Sequence, residues 1–294
     1  MAPQYHPLLD GAIELHCHSS PSIFARKQTD WELVEEIKAA GMAGALIKSH
    51  ESSTTDRTAL IRDREAGLHI YGGLVCNYFT GGLSAIAVDA SIRLGAKCIW
   101  MPTISSQAHY DHFGGAQTKL FQSEEPIAQP GVGLRIIDDQ DKLLPEVRHI
   151  IDLIAQADII LATGHLSPKE VSILTHEALK QGIGKVLIQH ADMGITPVPL
   201  DMQIELARKG ALIEKCYLAC SPDFRDLSVA QMVETMRQIG YDSCVMVSDH
   251  GQAHNPLPIQ ALSDFISNVL AEGVTEHDVT KMVARTPLQL LNIQ

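Results

Sequence analysis

Asp158-Ile-Ile-Leu-Ala-Thr-Gly-His-Leu-Ser-Pro-Lys-Glu170 carries a complete strand-to-helix transition. Residues 158–163 form an apolar run of strand length, Gly164 and His165 turn the chain, and Ser167-Pro168-Lys169-Glu170 opens a helix. The Ser hydroxyl stands at the N-cap, Pro at the first helical position and a carboxylate at the third, which is the pattern of a capping box. An amphipathic stretch then runs to 181 and stops at Gly182, a position that often needs positive φ, before the next apolar run begins at Lys185.

Working outward, the same unit recurs eight times. Strands are predicted at 12–15, 43–48, 69–75, 97–101, 158–163, 185–189, 211–215 and 243–248. Helices are predicted at 31–40, 56–66, 83–94, 143–156, 168–181, 200–209, 229–239 and 258–272. Thr29-Asp-Trp-Glu32 is a second capping box, and Gly41, Gly67, Gly95, Gly210 and Gly240 fall at helix ends like Gly182. Parallel strands joined by helices close into a barrel or spread into a doubly wound sheet. No Gly-x-Gly-x-x-Gly turn follows the first strand, so eight units favour an α/β fold of the (β/α)8 TIM-barrel type. Its barrel spans roughly 11–273, with a long loop after strand 4, between Met101 and Leu143, and two closing helices over 275–291, the second capped by Thr286-Pro287. A length of 294 residues then belongs to one domain over 1–294 rather than two.

Composition narrows the function. Apolar residues make up 45% and charged residues 20%, enough for a large core and unlike a disordered chain. Lys and Arg number 23 against 35 Asp and Glu, and a net charge of -12 disfavours nucleic acid and anionic membrane surfaces as partners. The start, Met1-Ala-Pro-Gln-Tyr-His, shows no secretory pattern and no run spans a bilayer, so a cytoplasmic protein without membrane contact is expected. Six cysteines without paired spacing read as reduced, structural thiols. Aromatic residues, at 5%, offer no stacking platform for a large planar ligand.

The chemistry collects at strand ends, where TIM barrels place their sites. Strand one ends in Glu14-Leu-His16-Cys-His18, and period two puts both imidazoles on one face, converging as a divalent metal needs. Strand two ends in Lys48-Ser-His50, strand five reaches His165, strand six His190, strand seven Glu214, and strand eight Asp249-His-Gly-Gln252. A lone strand-end His is usually structural. The joint set of His-x-His, His, His and Asp after strands one, five, six and eight is specific for metal.

In that order His16, His18, His165, His190 and Asp249 resemble the ligand set of the amidohydrolase superfamily, and the tail from Val274 to Leu291 resembles its closing helices, with Thr286 where an Asn is usual. The resemblance implies an amidohydrolase-like barrel, one or two divalent metals and hydrolysis of amide or ester bonds. Members with two metals often bridge them with a carboxylated Lys near the end of strand four, where this chain reads Ile99-Trp-Met-Pro-Thr-Ile. One ion is therefore favoured over two, zinc first, with Mn and Fe compatible.

The expected activity is metal-dependent hydrolysis of an amide, cyclic amide or related C–N or ester bond in a small molecule, by attack of metal-activated hydroxide. Alternatives on the same barrel are a metal-dependent decarboxylase or lyase and a phosphoesterase, for which Lys48 and Arg26 could meet a phosphate. Metal ligands are expected from His16, His18, His165, His190 and Asp249. Asp249 is the expected general base, and His190 is either a ligand or an oxyanion donor. Lys48, His50, Glu214 and Gln252 are expected to contact substrate, Lys215 and Tyr217 read equally well as ordinary packing or surface residues, and His109, Asp111 and His112 as a lid or a solvated loop. A small-molecule substrate is the expected partner, and self-association is left open.

Overall fold

The structure, a computed structural model, describes residues 5–114, 128 and 130–293. The first residues of the chain and the distal part of the long loop, 115–127 and 129, lie outside the described residues.

Strands and helices alternate as β1 (Ile13–Cys17), α1 (Asp30–Ala39), β2 (Gly44–Ile47), α2 (Thr55–Arg64), β3 (His69–Tyr71), β4 (Gly73–Val75), α3 (Ala85–Arg93) and β5 (Cys98–Trp100). They continue as α4 (Gln107–Phe113), α5 (Pro145–Ala157), β6 (Ile160–Ala162), α6 (Pro168–Lys180), β7 (Val186–Ile188), α7 (Leu200–Arg208), β8 (Leu212–Cys216) and α8 (Val229–Ile239). The chain ends with β9 (Cys244–Val247), α9 (Pro258–Ala271), α10 (Glu276–Thr280) and α11 (Thr286–Leu290). Both predicted capping boxes form, and Ser228 with Gln231 makes a third. The six predicted helix-ending glycines all have positive φ.

All strand pairs are parallel, in two ladders, β1-β2-β3 and β4-β5-β6-β7-β8-β9. The third predicted strand is split at Gly72. A Cβ there would lie 2.4 Å from Thr54 Oγ1, so only Gly admits the chain entering α2. Thr54 Oγ1 accepts from Gly73 N at 2.9 Å and donates to Ile47 O at 2.8 Å, replacing ladder bonds between β2 and β4. The seam between β9 and β1 is closed beyond the strands by Asp249 N to His16 O (2.8 Å) and His18 N to His250 O (2.9 Å). Glu14 braces it, accepting from His16 N at 2.9 Å and Ser248 N at 3.0 Å. The result is a distorted (β/α)8 barrel whose eight staves count β3 and β4 as one.

Alternation along the strands divides the core. Val75, Cys98, Trp100, Ile160, Ala162, Leu187 and Cys216 belong to one buried cluster. Their strand neighbours Leu74, Cys76, Ile99, Leu161, Val186 and Ile213 pack with Val147, Ile151 and Ile154 of α5 and with Val171 and Leu174 of α6. This is the two-sided burial expected of parallel strands flanked by helices. Lys215, which the sequence left between packing, surface and substrate contact, is fully buried and donates to Asp192 Oδ2 (2.8 Å), Gln203 Oε1 (3.2 Å) and Thr235 Oγ1 (2.9 Å), tying β8 to α7 and α8.

The closing segment differs from expectation at one point. Thr286 is not an N-cap: Arg285 before it is helical, at φ -62 and ψ -51, and a π turn over Lys281–Arg285 joins α10 to α11. Pro287 cannot continue a regular α-helix because its ring meets the carbonyl four residues back, and a widened π turn gives the room. None of the six cysteines is bonded to another. Among the described residues no helix is long and apolar enough to cross a membrane.

Candidate metal centre

His16 sits near the end of β1 and His18 two residues on, both essentially buried. Their outer nitrogens are fixed by acceptors. His18 Nδ1 lies 2.8 Å from Lys48 O, and a carbonyl can only accept, so the proton is on Nδ1. His16 Nδ1 lies 3.0 Å from Glu214 Oε2, which also accepts from Gln189 Nε2 at 3.1 Å. Burial opposes ionisation of Glu214, but His16 outweighs it and holds the carboxyl down at about 2.

Both rings therefore turn Nε2 to one point. His16 Nε2 and His18 Nε2 each lie 3.0 Å from Asp249 Oδ1. Burial opposes charge on Asp249 too, yet His16 and His18 hold its pKa well below the usual carboxylate range. Burial and the nearby Arg26 pull His18 down to about 3, so its Nε2 is a lone pair facing a carboxylate oxygen at contact distance. A positive charge, a proton or a metal ion, between the two atoms relieves such a contact. Burial works against charging His16, but Asp249 and Glu214 together overcome it and push its pKa up to about 9. The extra proton on His16 occupies the place of a positive ion, and metal binding at such sites displaces protons. Tetrahedral zinc with bonds of about 2.0–2.2 Å sets N and O donors about 3.4 Å apart, close to the spacing here. Carboxylate and carbonyl acceptors behind the ligand rings complete the usual outer support of a metal site.

Three groups of side chains bring donor atoms within 4.8 Å of one another: His16, His18 and Asp249; His16, His190 and Glu214; and His190, Cys216 and Asp249. His190 and Asp249 both adopt positive φ, 52° and 54°, outside the usual range for side-chain-bearing residues. The kink aims Asp249 back at β1. Gly251, at φ 135°, makes this possible, because a Cβ there would come within 2.1 Å of His18 O.

A small cavity of about 20 Å³ opens on the cluster, room for a water or an ion. His18, Lys48, His50, His165, His190, Asp249 and Gln252 line its polar side; Met193, Ile195, Leu218 and Phe224 line the other. A larger hollow of about 350 Å³ lies outside the barrel, beside α4 and the start of α6, and contains none of these histidines. Of its charged groups, Lys169 pairs with Asp141 at 2.5 Å and Glu170 serves its capping box.

Placed in space, the expected site residues separate. His16, His18, His190 and Asp249 converge. His165 lines the cavity, but its Nδ1 meets His109 Nδ1 at 3.1 Å and it joins none of the three donor groups. Glu214, expected to touch substrate, is fully buried behind His16. Lys48 Nζ is 3.0 Å from His16 Nε2, and burial lowers its pKa. His50 stacks on His18 at 5.1 Å between ring centroids and reaches Thr103 Oγ1 at 2.8 Å. Gln252 donates to Asp249 O at 2.9 Å. Of the loop residues, His109 is buried on α4 against His165, whereas Asp111 and His112 are exposed. Arg26 pairs with Gln252 through an isolated bridge and points its guanidinium near the ring of Phe24.

Sequence reasoning missed Cys216 and Gln189, and it placed His109 in a lid or solvated loop rather than against His165. Cys216 had a signal, since it lies two residues beyond Glu214 and shares its face of β8.

A family model described as "Family of unknown function (DUF6282)" matches residues 11–214. The chain belongs to that family. Among curated proteins no sequence matches this DUF6282 chain. Among solved structures it is similar to an amidohydrolase from Pseudomonas aeruginosa, at 14% identity and a TM-score of 0.64, covering 97% of both chains. It is similar to a candidate 2-pyrone-4,6-dicarboxylic acid hydrolase from Pseudomonas putida, at 12% identity and a TM-score of 0.62, covering 96% of this chain and 98% of that one. An organophosphorus hydrolase from Deinococcus radiodurans matches at 13% identity and a TM-score of 0.60, over 97% of this chain and 93% of that one. At such identities the likeness is one of fold, and the amidohydrolase-like barrel implied by the sequence is the fold observed.

Proposed function

We propose that this chain is a metal-dependent hydrolase that opens an ester, cyclic ester, amide or cyclic amide bond of a small molecule. The observation that carries the reading is the convergence of two imidazole nitrogens and Asp249 on one point, with each ring's other nitrogen tied to an acceptor. Such preorganised donors suit zinc or another first-row divalent ion. The fold neighbours add support, since they carry the names of an amidohydrolase, a 2-pyrone-4,6-dicarboxylic acid hydrolase and an organophosphorus hydrolase.

His16, His18 and Asp249 are the residues proposed to hold the ion. A divalent ion in such a site, when bound, polarises a carbonyl and lowers the pKa of water toward neutrality. Asp249 Oδ1 faces the two histidines, and Oδ2 faces the weak donor Cys216 Sγ at 3.8 Å and His190 Nδ1 at 4.0 Å. The Asp249 carboxylate can accept a proton from attacking water and return it to the leaving oxygen or nitrogen, as general acid–base catalysis requires. His190 lines the same cavity and is placed to donate to the substrate oxygen as charge grows on it. Apolar Met193, Ile195, Leu218 and Phe224 exclude bulk water from that side. Glu214 holds His16 in one tautomer and does not meet the substrate.

The test combines metal analysis with assay. Purified protein is expected to carry stoichiometric divalent metal, and His16→Ala with His18→Ala is expected to lose it. Asp249→Asn is expected to lower turnover of lactone, ester, amide and imide substrates by roughly 10²–10⁴-fold, the range of general acid–base catalysis. Metal content unchanged by the double substitution, or unchanged turnover in Asp249→Asn, refutes the reading.

A further inference from the structure

The donor set does not end with the first group. Asp249 directs its two oxygens to opposite sides: Oδ1 to His16 and His18, Oδ2 to Cys216 Sγ at 3.8 Å and His190 Nδ1 at 4.0 Å. These three buried residues, His190, Cys216 and Asp249, each bring one donor atom within 4.8 Å of the others. His190 Nδ1 is buried and has no hydrogen-bond partner; the nearest carboxylate oxygen, Glu214 Oε1, stands at 3.6 Å. A buried ring nitrogen left in this way is costly unless something binds it.

We propose that the chain holds a second divalent ion between His190 Nδ1, Cys216 Sγ and Asp249 Oδ2, with the Asp249 carboxylate bridging it to the ion of His16 and His18. The inference rests on the metal-centre reading above and extends it to a thiolate donor. For a tetrahedral ion with S, N and O bonds of about 2.3, 2.0 and 2.1 Å, donors stand about 3.4–3.6 Å apart, so the contact of Cys216 Sγ to Asp249 Oδ2 at 3.8 Å shortens by about 0.2 Å and that of His190 Nδ1 at 4.0 Å by about 0.6 Å on binding, shifts within reach of a side-chain rotation. Binding forms a metal–sulfur bond and breaks the Cys216 S–H bond, and the proton leaves to solvent. A thiolate favours zinc or cobalt over magnesium or manganese at this position. The bridge between the two ions is then the Asp249 carboxylate, in place of a lysine on β5, where Cys98-Ile-Trp100 carries none.

The experiment is a titration of cobalt(II) into the metal-free full chain, read by metal stoichiometry and by the near-ultraviolet thiolate-to-cobalt charge-transfer band. The expected result is two ions per chain, with the band growing on uptake of the second. Cys216→Ser is expected to abolish the band and leave one ion, whereas Cys244→Ser, on the neighbouring strand, retains both. His190→Gln, which keeps the thiol, is expected to reduce the stoichiometry to one as well, and serves as the test if Cys216→Ser does not fold. A band that survives Cys216→Ser, or a wild-type chain that binds one ion without a band, overturns the thiolate site and leaves the first site standing. A chain that binds no cobalt overturns both.

Discussion

Glu214→Gln isolates the carboxylate that orients His16. Glu214 is fully buried, and its shortest contact to a ligand is to the His16 ring at 3.0 Å, so its main effect on metal passes through the imidazole it holds; its contact to His190 is to the backbone N, at 3.3 Å. The substitution preserves shape but replaces one oxygen with an NH2 group. Both oxygens face donors: Oε2 meets His16 Nδ1 (3.0 Å) and Gln189 Nε2 (3.1 Å), and Oε1 meets His190 N (3.3 Å). In either orientation the new NH2 therefore points at an N–H. The lower-cost choice keeps the amide oxygen on His16 and sacrifices the longer contact to His190, but the charge that made the His16 ring a strong donor is gone. Loss of such outer support typically weakens metal binding 10–100-fold, about 1.4–2.8 kcal/mol. Competition against a chelator of known affinity measures the change directly, with circular dichroism and thermal melting to show that the variant is folded. A folded Glu214→Gln protein with an unchanged metal dissociation constant would refute the assignment of Glu214 as the group that positions His16.

Further outcomes follow from the same geometry. Because His165 spends Nδ1 on His109 rather than on the donor cluster, His165→Ala is expected to lose less metal than His16→Ala; equal losses by elemental analysis would put His165 among the ligands. Lys215→Met leaves Asp192 and Gln203 without their buried partner and is expected to cost about 3–5 kcal/mol, seen as a Tm lower by on the order of 10 °C, with metal affinity unchanged. Glu14→Gln removes one of the two acceptors that brace the β1 and β9 seam, and denaturant titration is expected to show a loss of about 1–3 kcal/mol, the cost of a buried N–H without a partner.

Much of this protein was legible in the sequence because its signals are local. Period-two runs, helix caps and terminal glycines depend on residues a few positions apart, so the eight units could be placed to within a residue or two, as at 168–181 against α6 (Pro168–Lys180). The exceptions are equally physical. Gly72 breaks a continuous apolar run because Thr54, distant in sequence, crosses there, and Pro287 is absorbed by a π turn that its flanking sequence does not announce.

The sequence by itself determined the barrel, the His-x-His pair on one face of β1 and the strand-end positions from which a site is drawn. Only the tertiary structure decided which of those positions meet. Alternation fixes the face a side chain takes but not its height along the barrel, since neighbouring strands are staggered. That stagger buries Glu214 behind His16, draws Cys216 to Asp249, and leaves His165 against a histidine from α4. The left-handed backbone at Asp249, permitted by Gly251 against His18 O, then turns one carboxylate toward four side chains that no spacing rule could have grouped.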